Sequence, residues 1–385
     1  MKKIFAVQET TYVNEWLGML PDYRVASLFL RENKKLLVIR SYSSYPEDHV
    51  KKIYLPFAVR GKKIAAVGPL DHVLYTLSCF LLLPLMLFYD AVIFVVPTFL
   101  TTSIMPVLKL FGKKIYVISL DPQDVLLETY KKNRKPHVWI YVKISCFLEK
   151  LAMRSATKIF TVSNYLKNQY SKYNQNIYVT PNGADTRRIE KIEKKKMFNG
   201  FTIAYFGSLD TWRGVDMLAD AFVKLRNSRA GKKARVKLLL LGGGPEEENI
   251  RKRFANDKDV YVSGFIDHST AISYCKAADV LVAPFRETPV LRRTFSIKPS
   301  EYVACGVPVV VTDTGEHAEF IKRLEAGLIV APDADNLSEA LETLIRDQKL
   351  YKKLKDNCVK NRSNVDYTIM RKPFSDEINE DLRVS

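Results

Sequence analysis

Short apolar runs of strand length alternate with longer stretches of helical periodicity along most of the chain. In the first half the runs are KKIFAVQ, KLLVIRS, DAVIFVV, KKIYVISL, KIFTVS and NIYVTPNG. Runs that are apolar on both faces suit strands of a parallel sheet, whose two sides are covered by crossover helices. The alternation therefore predicts an α/β fold with doubly wound parallel sheets. Between Arg187 and Gly200 the pattern lapses into RRIEKIEKKKMFNG, which reads as an interdomain linker. A second series follows: FTIAYFGS, RVKLLLLGGG, VYVSGF, VLVAPF, PVVVTD and GLIVAP. The expected organisation is a first domain over residues 1–190, a linker at 191–200, and a second domain over 201–364. The tail 365–385 is free to pack back on the first domain.

One region departs from the amphipathic norm. Val73 to Tyr89 carries no charge, Asp90 ends it, and Ala91 to Leu108 is again uncharged, with prolines at Pro84, Pro97 and Pro106. Two readings fit. The segment is a buried helix and the core strand AVIFVV, or it is a hairpin dipping into one leaflet of a membrane. AVIFVV reads as a strand of a parallel core, which favours the first reading, and the 73–89 run falls short of the roughly 20 apolar residues a spanning helix needs. The N-terminal MKKIFAVQETTY turns polar too soon for a signal peptide.

Charge narrows the partners. Lys and Arg number 60 against 42 for Asp and Glu, a formal net charge of +18. That excess suits an anionic partner, such as phosphorylated substrates or an acidic membrane face. No helix-turn-helix, zinc or RNP pattern accompanies it, so a nucleic-acid partner is not expected. The 5 cysteines and 5 histidines are scattered singly, which predicts neither a disulfide framework nor a structural metal.

Candidate chemistry gathers at strand ends of the second series, where doubly wound folds bind ligands. Tyr205-Phe206-Gly207-Ser208 leads through Thr211-Trp212-Arg213-Gly214 into a helix pattern. Glycine lets the backbone approach a ligand, and Arg213 offers a charge for a phosphate. Leu241-Gly242-Gly243-Gly244-Pro245 is a second such end, but no phosphate-loop GK[ST] follows it. The third is Lys298-Pro299-Ser300-Glu301-Tyr302-Val303-Ala304-Cys305-Gly306-Val307-Pro308. Glu301, early in that helix, suits the hydroxyls of a ribose. It also suits simple stabilisation of the helix N-terminus.

Taken in order, these segments resemble the GT-B retaining glycosyltransferases of family four, the group 1 type of glycogen synthases and mannosyltransferases. The resemblance runs over residues 155–335. It includes KIFTVSNYLKNQY, the turn Asn182-Gly183-Ala184-Asp185, YFGSLDTWRGVDMLADAF, LLLLGGGPEEENI, VYVSGFID and SEYVACGVPVVVTDTGEHAEFI. It implies two facing Rossmann-like domains with the active site in the cleft between them. It also implies a UDP- or GDP-linked sugar donor, retention of configuration, and no metal or other cofactor. By the same resemblance Glu301 binds the ribose and Arg213 the diphosphate, with backbone amides near Gly207 and Ser208. Gly243 lines the donor site, and amides at Phe295 and Ser296 meet phosphate or sugar.

The departures carry information as well. The family's first signature glutamate falls on Arg293, and its first basic residue falls on Ser208. Arg292, Arg293 or Lys298 is expected to restore the missing charge. The first strand runs into Gln8-Glu9-Thr10-Thr11 without a glycine-rich loop, and no cleft histidine is evident. Asp121 and Asp124, after the strand KKIYVIS, are candidates for orienting an acceptor hydroxyl, and helix capping would explain them equally. The favoured reading is a glycosyltransferase acting on a lipid-linked or cell-surface glycan precursor, held peripherally at the cytoplasmic membrane face. The alternative is a non-catalytic GT-B subunit that binds a nucleotide or a partner.

Overall fold

A computed structural model describes residues 4–8, 36–40, 51–54, 76–77, 79–96, 102–120 and 136–384. The chain forms two compact units, one of residues 1–181 with 371–385 and one of residues 182–370.

The first unit holds a seven-stranded sheet, all parallel, in the order β3-β2-β1-β4-β5-β6-β7. The strands are β1 (Ile4–Gln8), β2 (Leu36–Arg40), β3 (Lys51–Tyr54), β4 (Ala91–Val96), β5 (Lys114–Ser119), β6 (Lys158–Thr161) and β7 (Ile177–Val179). The uncharged run AVIFVV is β4, central in the sheet between β1 and β5 and buried throughout. The strand half of the core reading holds, whereas Leu77, Leu81 and Phe88 before it stand exposed. Among the described residues no helix is long and apolar enough to cross a membrane. Two helices matter below, α1 (Ile104–Leu110) and α2 (Pro136–Ser155). The C-terminal helix Lys372–Val384 lays Phe374, Ile378 and Leu382, one helical turn apart, on β4, β5 and β6. Lys158 on β6 pairs with its Glu377 (2.8 Å) and Asp381 (2.9 Å).

The second unit holds a six-stranded parallel sheet in the order β10-β9-β8-β11-β12-β13. These are β8 (Thr202–Phe206), β9 (Lys237–Leu241), β10 (Val260–Val262), β11 (Val280–Ala283), β12 (Val309–Thr312) and β13 (Gly327–Val330). Its helices include α3 (Val215–Asn227), α4 (His268–Cys275), α5 (Lys298–Cys305) and α6 (Glu316–Arg323). The chain winds outward from β8 in both directions, so the strand order reverses between β8 and β11. Ligands of doubly wound sheets sit beyond the carboxyl ends at such a point.

The boundary at residue 181 precedes the expected one at 190, and the anticipated linker 191–200 lies inside the second unit. The reason is a lysine. Lys276, after α4, donates its ammonium to the carbonyls of Ile189 (2.8 Å), Glu190 (3.1 Å) and Ile192 (2.5 Å). The Lys195 amide bonds the Ser273 carbonyl at 3.0 Å. The charged stretch is therefore fastened to α4.

Candidate functional site

The site is assembled where β8 ends. Gly207 follows the strand with φ 148°, and a side chain there would strike the Lys298 side chain. Only glycine lets the lysine lie against the backbone. The Tyr205 hydroxyl donates to the Ser208 carbonyl (2.7 Å) and holds the turn. A single 3₁₀ turn, Thr211–Arg213, then presents Arg213 before α3 begins.

Helix α5 supplies the other wall. Tyr302 grips the end of β8, its hydroxyl accepting from the Phe206 amide (3.0 Å) and donating to the Phe206 carbonyl (3.3 Å). Lys298 and Glu301, one turn apart, therefore face the strand end together. Lys298 is only 7% exposed, and its ammonium makes no hydrogen bond or ion pair among the described residues, although its backbone amide donates to the Ser296 hydroxyl (3.3 Å). Burial, and then repulsion from Arg213, hold its ammonium well below the ordinary lysine range. Arg213 is likewise without an acidic partner among the described residues. Its guanidinium lies 4.0 Å from the Trp212 ring centroid, and its Nε is buried without a hydrogen bond. Glu301 and Asp210 are near enough to favour the Lys298 charge but form no ion pair with either cation, and neighbouring cations without a paired anion are costly for a protein to maintain. The arrangement suits a ligand carrying two or more negative charges.

Two histidines complete the site, and neither stood out in the sequence. His268, the first residue of α4, gives a hydrogen bond from Nε2 to Glu301 Oε1 at 2.8 Å, and both side chains are nearly buried. Its Nδ1 is buried without a partner. His317 on α6 is fully buried, and burial first of all lowers its pKa from 6.5 to about 4. The neutral ring accepts the Ser296 amide at Nε2 (2.7 Å) and faces the Thr314 carbonyl through Nδ1 (3.3 Å). It stacks on Phe295, with centroids 5.5 Å apart. The only sequence clue to His268 was its place after the helix cap Asp267, and His317 had none.

The remaining candidates divide. Gly207, Ser208, Arg213, Lys298 and Glu301 come together. The Ser296 amide, expected to meet phosphate, is committed to His317, and the Phe295 carbonyl accepts from the Asn182 side chain (2.7 Å). Those two residues anchor the loop before α5. Gly243 is buried beside the exposed ring of Phe265, which a side chain on Gly243 would strike. Arg293 stands half-buried at the end of the short helix Pro289–Arg293. Arg292 is exposed and paired with Glu287. Of the three residues expected to restore the missing charge, Lys298 is the one whose position against Gly207 is defined. Asp121 and Asp124 lie outside the described residues.

Residues 200–347 match the family of glycosyl transferases group 1. The group 1 match thus spans the second sheet and every site residue named around β8 and α5. An uncharacterized glycosyltransferase of Methanocaldococcus jannaschii is 26% identical over 180 residues, 44% of each chain. A GDP-mannose-dependent monoacylated alpha-(1-6)-phosphatidylinositol monomannoside mannosyltransferase of Corynebacterium glutamicum is 28% identical over 183 residues. That covers 43% of this chain and 46% of the relative. The similarity therefore spans less than half the length of these relatives. In three dimensions the chain is similar over its whole length to sucrose-phosphate synthase of Thermosynechococcus elongatus, with TM-score 0.74, 16% identity and full coverage of both chains. It is also similar to the Anabaena protein HepE in complex with UDP, with TM-score 0.71 and 15% identity, covering 98% of this chain and 100% of that one. The fold is GT-B, with both units of the Rossmann-like, parallel type.

Proposed function

We propose that this chain is a glycosyltransferase that takes a UDP- or GDP-linked sugar on its second unit. One observation carries the reading. Lys298 lies against Gly207 and feels the charge of Arg213, neither cation has an ion-pair partner among the described residues, and the Glu301 carboxylate stands one turn from Lys298 on the same helix. A nucleoside diphosphate offers charge for the two cations and ribose hydroxyls for the carboxylate. The group 1 match and the UDP bound by the HepE neighbour support the same donor class.

In this reading the sugar–phosphate bond breaks, the electron pair leaves with the diphosphate, and the acceptor hydroxyl oxygen bonds to the anomeric carbon as its proton passes to the departing phosphate. We assign Arg213 and Lys298 to that developing charge, and preorganised donors of this kind are each worth about 10²–10³ in rate. We take the transfer to proceed on these cations without metal and with retention of configuration. The acceptor we propose is a lipid-linked glycan precursor at the cytoplasmic membrane face, in line with the lipid named for the Corynebacterium relative. Arg293, at the family's first glutamate position, favours a second reading, a nucleotide-binding subunit without turnover.

A thermal-shift screen with UDP, GDP and ADP tests donor binding. Saturation at 100 times Kd is worth about 2.7 kcal/mol of stability. Arg213→Ala is expected to weaken UDP or GDP about 10- to 100-fold and the free nucleoside little, since a hydrogen bond to a charged group contributes about 1.5–3 kcal/mol. Equal losses for nucleotide and nucleoside would remove Arg213 from the diphosphate. Sugar transfer from a panel of UDP- and GDP-sugars separates the enzyme from the subunit.

A further inference from the structure

Helix α2 carries large apolar side chains on both sides. Its inward side buries Val142, Ala152 and Met153 together with Ser145 and Glu149, the last accepting from the Tyr170 hydroxyl at 2.9 Å. Its outward side exposes Trp139, Ile140, Ile144 and Phe147, at helical spacing, with Lys143 and Lys150 among them. From Trp139 to Arg154 no acidic residue stands on the exposed face. Lys143 holds its ammonium 3.8 Å from the Trp139 ring centroid. The patch continues beyond the helix. Lys109 at the end of α1 donates to the Arg154 carbonyl (2.8 Å), which brings Leu110, 87% exposed, and Phe111 alongside. Contiguous apolar surface of this kind marks an interaction site.

We propose that this face docks on an anionic lipid surface. The composition selects the partner. Aromatic and branched apolar groups beside lysines, without acids, match a helix lying in the headgroup plane. Trp suits the membrane interface, and each lysine near an anionic leaflet is attracted to it. A nucleic acid would use the cations but leave the four large apolar side chains in water. A second copy would bring two basic faces together in a chain of net charge +18. The proposal sharpens the membrane part of the function above and is independent of donor binding. It places the docking face mainly on α2, whereas β4 in the uncharged 73–108 segment is core.

Co-sedimentation with phosphatidylcholine vesicles, with and without phosphatidylglycerol, tests it. The protein is expected to pellet with the anionic vesicles and to be released at 1 M salt, where the Debye length is about 3 Å. Lys143→Gln and Lys150→Gln should each reduce partitioning about fivefold. Ile144→Ser combined with Phe147→Ser should reduce it at least about tenfold. These side chains are exposed, so thermal melting and the UDP or GDP shift should be unchanged and report an intact fold. No pelleting of the wild type, or variants that pellet as well as it does, would overturn the proposal. So would a dimer by light scattering that these substitutions abolish. Vesicle binding without any nucleotide shift would leave this face standing and remove the donor reading instead.

Discussion

Each unit sets a lysine beside its sheet, half-buried in the first and buried in the second, and the surroundings shift the two in opposite directions. In the first unit Lys158 reaches Glu377 and Asp381. Burial works against its charge, but the hydrogen bonds and the two carboxylates outweigh it and raise its pKa. In the second unit Lys298 meets burial and then Arg213, and its pKa falls well below the ordinary value. The same residue type is a strut in one sheet and a poised cation in the other. Two sheets wound in the same order from their first strand outward thus carry different chemistry, because function resides in what is placed at the strand ends.

Replacing both lysines with methionine probes that difference most strongly. Lys298→Met should raise the melting temperature of the free protein, since it removes an uncompensated buried amine. It should also weaken UDP or GDP at least about 100-fold. Lys158→Met should do the reverse, costing about 1–3 kcal/mol of stability and leaving nucleotide affinity unchanged. Calorimetry sharpens the point. An arriving diphosphate favours protonated Lys298, so binding should take up a proton at pH values between the lowered pKa and the ordinary one. The measured heat should then vary with the ionisation enthalpy of the buffer. If both variants destabilise equally and both bind nucleotide, the two lysines are equivalent and the comparison fails.

His317 gives the next largest effect. Its folded pKa of about 4 lies below the unfolded 6.5, so its contribution is complete above pH 6.5. As pH falls from 6.5 to about 4, the unfolded chain takes up a proton that the fold refuses, and stability declines. At about 1.4 kcal/mol per pH unit, the loss approaches about 3 kcal/mol. Urea titrations across that range should show the decline, and His317→Gln, whose side-chain oxygen can still accept the Ser296 amide, should flatten it. An unchanged slope in the variant would assign the decline elsewhere.

The smallest effect concerns His268. If it orients Glu301 toward a ribose, His268→Ala should weaken UDP or GDP about tenfold, and a 2′,3′-dideoxy nucleotide much less. His268→Gln, which keeps a donor, should recover part of the loss. Equal losses for ribose and dideoxyribose would reduce His268 to a packing role.

The doubly wound reading was legible because it rests on local periodicity. KIFTVS or VYVSGF is a strand by its own composition, and β-branched runs between helix patterns lead to a parallel sheet. Gly207 and Arg213 were legible for a similar reason, as immediate neighbours of a strand end. Other features were local in appearance only. RRIEKIEKKK looked like a linker because its charges give no sign of Lys276, which fastens its backbone. The Ser296 amide looked available because its acceptor, His317, lies 21 residues on. The uncharged 73–108 segment drew attention to lipid, yet β4 within it is core. The face proposed for lipid is on α2, where the pattern alone did not reveal which side turns outward.

By itself, then, the sequence determined two successions of strand and helix, a basic chain, and a glycine–arginine strand end followed downstream by a glutamate-bearing helix. Each of these depends on chain neighbours and on composition. Tertiary structure decided which charges are paired. Lys158 finds Glu377 across 219 residues, His268 finds Glu301 across 33, and the Lys298 ammonium lies against Gly207 near Arg213 with no ion-pair partner among the described residues. The physical reason is that burial and neighbouring charge set a side chain's protonation and purpose, and both are properties of the fold.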